Sequence, residues 1–290
     1  MHYTTAKGIL SARNGMNIYR GCSHGCIYCD SRSNCYNFAH EFEDIEVKQN
    51  ALELLEDALR RKRKKCMIGT GAMTDPYIPL ERRLRYTRGA EELVYKYGFG
   101  MTVQTKSTDI LRDLDIISSI NEKTKFVVQT TLTTADDALC KKIEPNVSVT
   151  SERVSMINTL RARGIPTVVW LCPLLPFIND TTDNVTAIVE ACAAAGVYGI
   201  INFGMGLTLR DGNREYFYSK LDELFPRLKE KYIRTFGNRY EAESPNAAKL
   251  TETFHALCDK YGIVRDNARI FGYLHEFPEH KGYEQLKLFD

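Results

Sequence analysis

The sequence has almost no excess of either charge: 39 Lys+Arg stand against 37 Asp+Glu, a net +2 over 290 residues. That balance excludes a histone-like polycation, so any nucleic-acid surface has to be a local patch. Long apolar runs are missing too. The longest, residues 165–178, is interrupted by Pro166, Pro173 and Pro176 and is too short to span a bilayer. The opening Met1-His2-Tyr3-Thr4-Thr5-Ala6-Lys7 has no apolar stretch followed by a small-residue cleavage site, so no secretory leader is expected. There is no internal repeat, low-complexity linker or sharp shift of composition. The remainder, 43% hydrophobic, 26% charged and 10% aromatic, is the composition of a chain that folds. A cytoplasmic protein with no membrane partner is expected.

Short β-rich runs alternate with helical patterns along most of the chain. The runs are 16–20, 66–70, 100–105, 125–131, 167–171 and 199–203. Between them Val47, Ala51, Leu54, Leu55 and Ala58 recur at helical spacing, as do Leu111, Leu114 and Ile117, then Val154, Ile157 and Leu160. Strands alternating with helices imply βαβ units and a parallel sheet. Right-handed crossovers would curl six such strands into an open or partial barrel, whose chemistry gathers at the C-terminal ends of the strands. Beyond about residue 206 the strand signal fades. Residues 216–231 and 245–261 read as helices, the first split by Pro226 and the second opened by Ser244-Pro245 as N-cap and N1. The expected organisation is an α/β core with its lead-in over 1–205 and a helical C-terminal extension over 206–290.

Cysteine is where the sequence is rich: nine residues, an odd count that suits free thiols in a reducing compartment better than a disulfide framework. Six of them (Cys35, Cys66, Cys140, Cys172, Cys192 and Cys258) are scattered and read as small buried hydrophobes. The other three are crowded into Gly21-Cys22-Ser23-His24-Gly25-Cys26-Ile27-Tyr28-Cys29-Asp30, spaced C-x3-C-x2-C. Three thiolates on one short loop can hold three irons of a [4Fe–4S] cluster, leaving the fourth iron open for chemistry. A zinc site completed by Cys35 or His24 is the alternative, although zinc motifs usually show two separated ligand pairs.

Cys22, Cys26 and Cys29, with Tyr28 before the last cysteine, resemble the cluster loop of radical S-adenosylmethionine (SAM) enzymes. The surrounding residues 17–26 are similar to the spore photoproduct lyase-like branch of that superfamily, also described as DNA repair photolyase-like, with Ile18 where the branch usually has proline. The resemblance continues through Thr74-Asp75-Pro76-Tyr77, Thr105-Lys106-Ser107, Thr131-Leu132-Thr133-Thr134, Ile143-Glu144-Pro145 and residues 173–180, and covers roughly residues 14–205. It implies the barrel fold, a [4Fe–4S] cluster and SAM as cofactors, an electron donor for the cluster, and reductive cleavage of SAM to a 5′-deoxyadenosyl radical. It also implies cofactor contacts from Thr74 and Asp75, for which turn chemistry is the competing account. Lys106 is implied for the SAM carboxylate, against a plain exposed lysine. Thr131 is implied near the ribose or methionine, against a β-branched strand residue. Tyr28 is placed by the adenine or as a buttress of the cluster, and Glu144 and Arg153 read as an ion pair fixing the loop after the fourth strand.

The substrate is less legible. Arg60 to Lys65 close a helix, where cations are favoured by its dipole and need no ligand. Arg82, Arg83, Arg85 and Arg88 follow the loop nearest the expected site and are the candidates for nucleic-acid phosphates. An enzyme acting on nucleic acid, one acting on another substrate, and a non-enzymatic iron–sulfur module that binds DNA or a partner are the three readings. Strict spore photoproduct lyase activity is not expected: in that enzyme a hydrogen-donating cysteine stands just before the Thr/Ser-Asp of the second-strand loop, and the matching Gly71-Ala72-Met73-Thr74-Asp75 carries no thiol. The final residues, Gln285, Leu286, Leu288 and Phe289, resemble a bacterial sliding-clamp ligand, with apolar anchors beside a hydrogen-bonding glutamine.

Overall fold

The computed structural model describes residues 1–278. The clamp-like residues Gln285, Leu286, Leu288 and Phe289 lie outside them.

Six strands, β1 (Gly15–Met16), β2 (Met67–Thr70), β3 (Gly100–Gln104), β4 (Phe126–Thr131), β5 (Thr167–Trp170) and β6 (Gly199–Ile201), lie side by side in chain order, all parallel. The crossovers carry α1 (Ala51–Arg61), α2 (Tyr86–Tyr97), α3 (Leu114–Lys123), α4 (Thr150–Ala162) and α5 (Thr182–Ala195). This is a partial (β/α)6 barrel. Strand β4 is covered on both faces, and all six of its residues are buried. Inside, Gln129 accepts from the Trp170 indole (2.9 Å) and donates to Thr102 (2.9 Å), so one amide ties three strands together.

Three expected elements shift. The first run divides, because Met16 pairs with Thr70 in the barrel while Tyr19–Arg20 turns away to pair antiparallel with Glu46–Lys48. Val47 therefore belongs to a strand, and α1 starts after Asn50. Helix α3 is preceded by a 3-10 stretch, Thr108–Asp113, which takes in Leu111.

The C-terminal part is not purely helical. Gly206–Thr208 pairs antiparallel with Glu241–Glu243, a ribbon beside the barrel mouth. Helices α6 (Asn213–Leu224) and α7 (Leu228–Phe236) are the expected helix divided around Pro226. In α8 (Ala247–Tyr261) the cap moves to Asn246, and Ser244 stays in the preceding turn, its hydroxyl accepting from the Asn246 N–H at 3.0 Å. Helix α9 (Asn267–His275) follows Val264, which bridges to Gly199 parallel to the sheet. Leu250, Phe254 and Cys258 of α8 share a buried cluster with Ile188, Val189 and Cys192 of α5, and Ser244 donates to Asp180 at 2.5 Å. No helix among the described residues is long and apolar enough to cross a membrane.

Candidate active site

The cysteine loop sits between β1 and α1, at the C-terminal ends of the strands. Gly21 holds φ +89°, and a Cβ there would stand 2.5 Å from the Phe42 carbonyl oxygen, to which the Cys22 N–H donates at 3.0 Å. The far side is pinned to the loop after β4. The Ile27 N–H donates to the Ile143 carbonyl (3.0 Å), the Asn146 N–H to the His24 carbonyl (3.1 Å), and the Asn146 side chain to the Ser23 carbonyl (3.0 Å). Cys22 and Cys26 are buried and Cys29 is half-buried. Burial pushes the Cys22 thiol up to about 12 and the Cys26 thiol well above its ordinary value.

The zinc alternative does not fit this arrangement. His24 is buried with its Nδ1 3.4 Å from Asp75, and Cys35 is exposed against Arg210. Among the described residues the three loop thiols do not draw within 4.8 Å of one another. A tetrahedral zinc, with bonds of ~2.3 Å, would hold its sulfurs roughly 3.8 Å apart.

Asp75 ties three loops. Its carboxylate accepts from the Thr105 hydroxyl (2.7 Å), the Tyr77 N–H (2.8 Å) and the Lys106 N–H (2.8 Å), and faces His24. Both oxygens are engaged, and the effect is to hold the loop after β2 against the end of β3. Gly71 makes the approach feasible: at φ +99°, a Cβ there would stand 2.0 Å from the Gln104 carbonyl oxygen. Thr74, next to Asp75, is buried and its hydroxyl has no partner among the described residues. An orphaned buried hydroxyl costs stability unless a ligand answers it, so the loop fits a polar group bound there.

Behind the loop lies a buried polar knot. The Tyr28 hydroxyl donates to Glu144, which pairs with Arg153, and the Arg153 guanidinium also donates to the carbonyls of Thr131 and Ser148, the latter at 2.8 Å. Tyr28 is thereby a buttress of the cysteine loop, and Thr131, itself buried, is fixed through its carbonyl. Burial alone would lower the Lys106 pKa, but the Cys26 and Cys29 thiols and Glu144 outweigh it and hold the ammonium above its ordinary value. Its Nζ lies 5.8 Å from the Tyr28 ring centre and has no ion-pair partner among the described residues.

These parts face a cavity of about 520 Å³. Cys26, Tyr28, Cys29 and Lys106 line it with Ala72, Met73, Trp170 and Cys172, while Phe203 and residues 241–243 of the ribbon form its outer wall. Thr74, Asp75 and Thr131 are not among its lining residues. Two parts of the wall are not visible in the sequence pattern: the thiol of Cys172, read as a small core residue, and the Glu-Ala-Glu ribbon. Two of the four arginines expected to face phosphate, Arg82 and Arg88, are paired with acids instead. Arg82 binds Asp109 at 2.6 Å, and Arg88 binds Asp115 at 2.6 Å with Glu92 and Asp113 nearby.

Residues 16–184, more than half of the chain, match the family model for the radical SAM superfamily. The chain belongs to the radical SAM superfamily. An uncharacterized protein of Mycobacterium tuberculosis strain H37Rv is 29% identical over 266 residues, covering 89% of this chain and 77% of that protein. A serine variant of spore photoproduct lyase shares the fold with a TM-score of 0.63 at 13% identity, covering 89% of this chain and 77% of that one. The same enzyme complexed with dinucleoside spore photoproduct gives 0.60 at 13% identity, over 84% and 72%. This radical SAM protein is an enzyme, and the non-catalytic binding module falls away. Its family implies SAM and a [4Fe–4S] cluster but not the individual reaction.

Proposed function

We propose that Cys22, Cys26 and Cys29 hold three irons of a [4Fe–4S] cluster, that SAM binds beside it, and that the enzyme acts on an unstacked base of a nucleic acid. The observation that carries this is the single cavity onto which two of the cysteines, an unpaired lysine and an aromatic wall all open. When bound and reduced by an external electron donor, the cofactor pair supplies a 5′-deoxyadenosyl radical that abstracts hydrogen. Residues 1–205 act as the catalytic core in this reading, and the part beyond 206 supplies the outer wall of the cavity.

The chain's own residues bind, orient and exclude water. The orphaned Thr74 hydroxyl suits the SAM amino group, and the Lys106 ammonium suits its carboxylate. Thr131 stands at the end of β4 for the ribose or methionine portion. Asp75 and Tyr28 act indirectly, by holding the loops in register. Replacing Lys106 with alanine is expected to weaken SAM binding by 1.5–3 kcal/mol, about 10- to 150-fold. Equilibrium dialysis of the cluster-loaded protein measures it; unchanged affinity removes Lys106 from the cofactor.

For the substrate, Phe203 is 65% exposed and tilts against Trp170 with ring centres 5.9 Å apart. Such a face accepts a planar base without regard to sequence. Beside it, Arg210 lies between the rings of Tyr36 and Tyr240 and pairs with Asp30 at 3.4 Å, a contact that phosphate would have to compete with. Asp30, Glu241 and Glu243 on the cavity wall repel phosphate, so a base enters and the backbone stays outside. The likeness to an enzyme solved with a dinucleoside lesion supports the same class. Replacing Phe203 with alanine is expected to cost about 1–3 kcal/mol in binding a single-stranded oligonucleotide. Fluorescence anisotropy measures this, and equal affinities for the variant and its parent would exclude the stacking wall. Clean repair of spore photoproduct is not expected, since Ala72 and Met73 line the cavity from the second-strand loop without a thiol.

A further inference from the structure

One group of side chains remote in sequence from the cysteine motif is arranged as metal ligands. His2 lies on the strand His2–Thr4, whose parallel register sets it against Glu46. His40 and Asp44 come from the loop just before Glu46–Lys48. One ligand atom from each of His2, His40 and Asp44 lies within 4.8 Å of the other two, and no other trio of His, Cys, Asp or Glu among the described residues is as close. His2 Nδ1 is 2.8 Å from Asp44 Oδ2, and His40 Nε2 is 3.6 Å from Glu46 Oε2.

The orientation of His40 is the informative part. Its Nδ1 lies 2.9 Å from the Glu41 carbonyl oxygen, which can only accept, so the ring N–H is placed on Nδ1. Nε2 is left as a lone pair, in a buried position with no hydrogen-bond partner among the described residues. Main-chain carbonyls fix metal-binding histidines in this way. The Thr4 hydroxyl donates to Glu46 Oε1 at 3.1 Å, which leaves Oε2 turned to the histidine. A lone pair 3.6 Å from a carboxylate oxygen is unfavourable unless a proton or a cation lies between them, and the Met1 ammonium meets Asp44 at Oδ1, 2.7 Å away, leaving Oδ2 to His2.

We propose that His2, His40 and Asp44, with Glu46 beside them, bind a divalent transition-metal ion of the zinc class. Two imidazoles with carboxylate oxygen suit zinc, cobalt or nickel and disfavour magnesium or calcium, which take oxygen. A tetrahedral ion with bonds of ~2.05 Å sets its donors roughly 3.4 Å apart. His2 and Asp44 have side chains 38% and 41% exposed, which leaves them free to close that distance by rotation. The metal would staple the first strand to the loop that supports the cysteines, since Phe42, between His40 and Asp44, accepts the Cys22 N–H. The site owes nothing to the cluster chemistry and stands or falls separately.

The test uses the full chain with its cluster loaded anaerobically, so that the cysteines are occupied. After equilibration with micromolar zinc and desalting, metal analysis is expected to find about one zinc per chain beside the iron. His40→Ala and Asp44→Asn should lose the zinc and keep the iron. Cobalt in place of zinc should give a tetrahedral ligand-field spectrum without a thiolate charge-transfer band. Added zinc should raise Tm in the parent and not in His40→Gln, a variant that preserves bulk should the alanine fail to fold. Equal zinc in the parent and a folded His40 variant, or a parent that retains none, overturns the proposal and assigns the position between His40 and Glu46 to a proton.

Discussion

Alanine at any one of Cys22, Cys26 or Cys29 is expected to reduce 5′-deoxyadenosine formation to the level of a protein-free control. The three residues form one short loop at the mouth of the barrel, and a cluster that loses one of three protein ligands loses an anchored iron. The fold should survive the change. The six strands and their helices are complete without the loop, and its own conformation is set by main-chain bonds to Phe42, Ile143 and Asn146, which alanine leaves intact. Truncating one small side chain in that setting costs about 1 kcal/mol, a fraction of a domain's stability. The measurement is anaerobic reconstitution, iron content per chain, product formation on reduction with SAM, and far-UV circular dichroism. A variant lacking all three cysteines that still holds iron and cleaves SAM would refute the cluster assignment. Should the intact protein form no 5′-deoxyadenosine, even uncoupled from substrate, the proposed function fails.

The sequence made the barrel strands after the first visible because each is a short, mostly buried run, and burial on both faces leaves little alternation to misread. The cysteine motif was visible for a related reason: its ligands lie within eight residues, so their spacing is local. What escaped depends on partners far along the chain. Arg82 and Arg88 look like free cations until Asp109 and Asp115, each 27 residues on, are folded against them. The ribbon of Gly206–Thr208 and Glu241–Glu243 has only three residues a side, with two exposed glutamates around one alanine, which is no strand signal. The role of Asp75 is hidden likewise, because its partners come from three different crossovers. Cys172 lies in an apolar stretch, and only the closure of the barrel turns it toward the cavity.

Arg153 offers the largest expected effect on stability. Its guanidinium and the Glu144 carboxylate are both fully buried, and the arginine also satisfies the carbonyls of Thr131 and Ser148. Removing one partner leaves the other charged and uncompensated, so Arg153→Ala is expected to destabilise the protein by about 3–5 kcal/mol. Arg153→Lys should not rescue it, because one ammonium cannot reach Glu144 and both carbonyls as the planar fork does. Replacing both partners with apolar residues should cost less than either single change. Acidity supplies an independent check. Burial would raise the Glu144 pKa, but Arg153, Lys106 and the Tyr28 hydroxyl together hold it below the ordinary carboxylate value. A depressed folded pKa means that the contribution is complete above the unfolded value of about 4.3 and is lost as the pH falls toward the folded one. Urea midpoints across that range should therefore fall more steeply for the parent than for Glu144→Gln, which is already weakened at neutral pH. Because Tyr28 donates to the same carboxylate, Glu144→Gln should also loosen the cysteine loop, read as faster iron loss to a chelator. Iron retention equal to the parent's, in a variant of lower stability, would confine Glu144 to holding the fold.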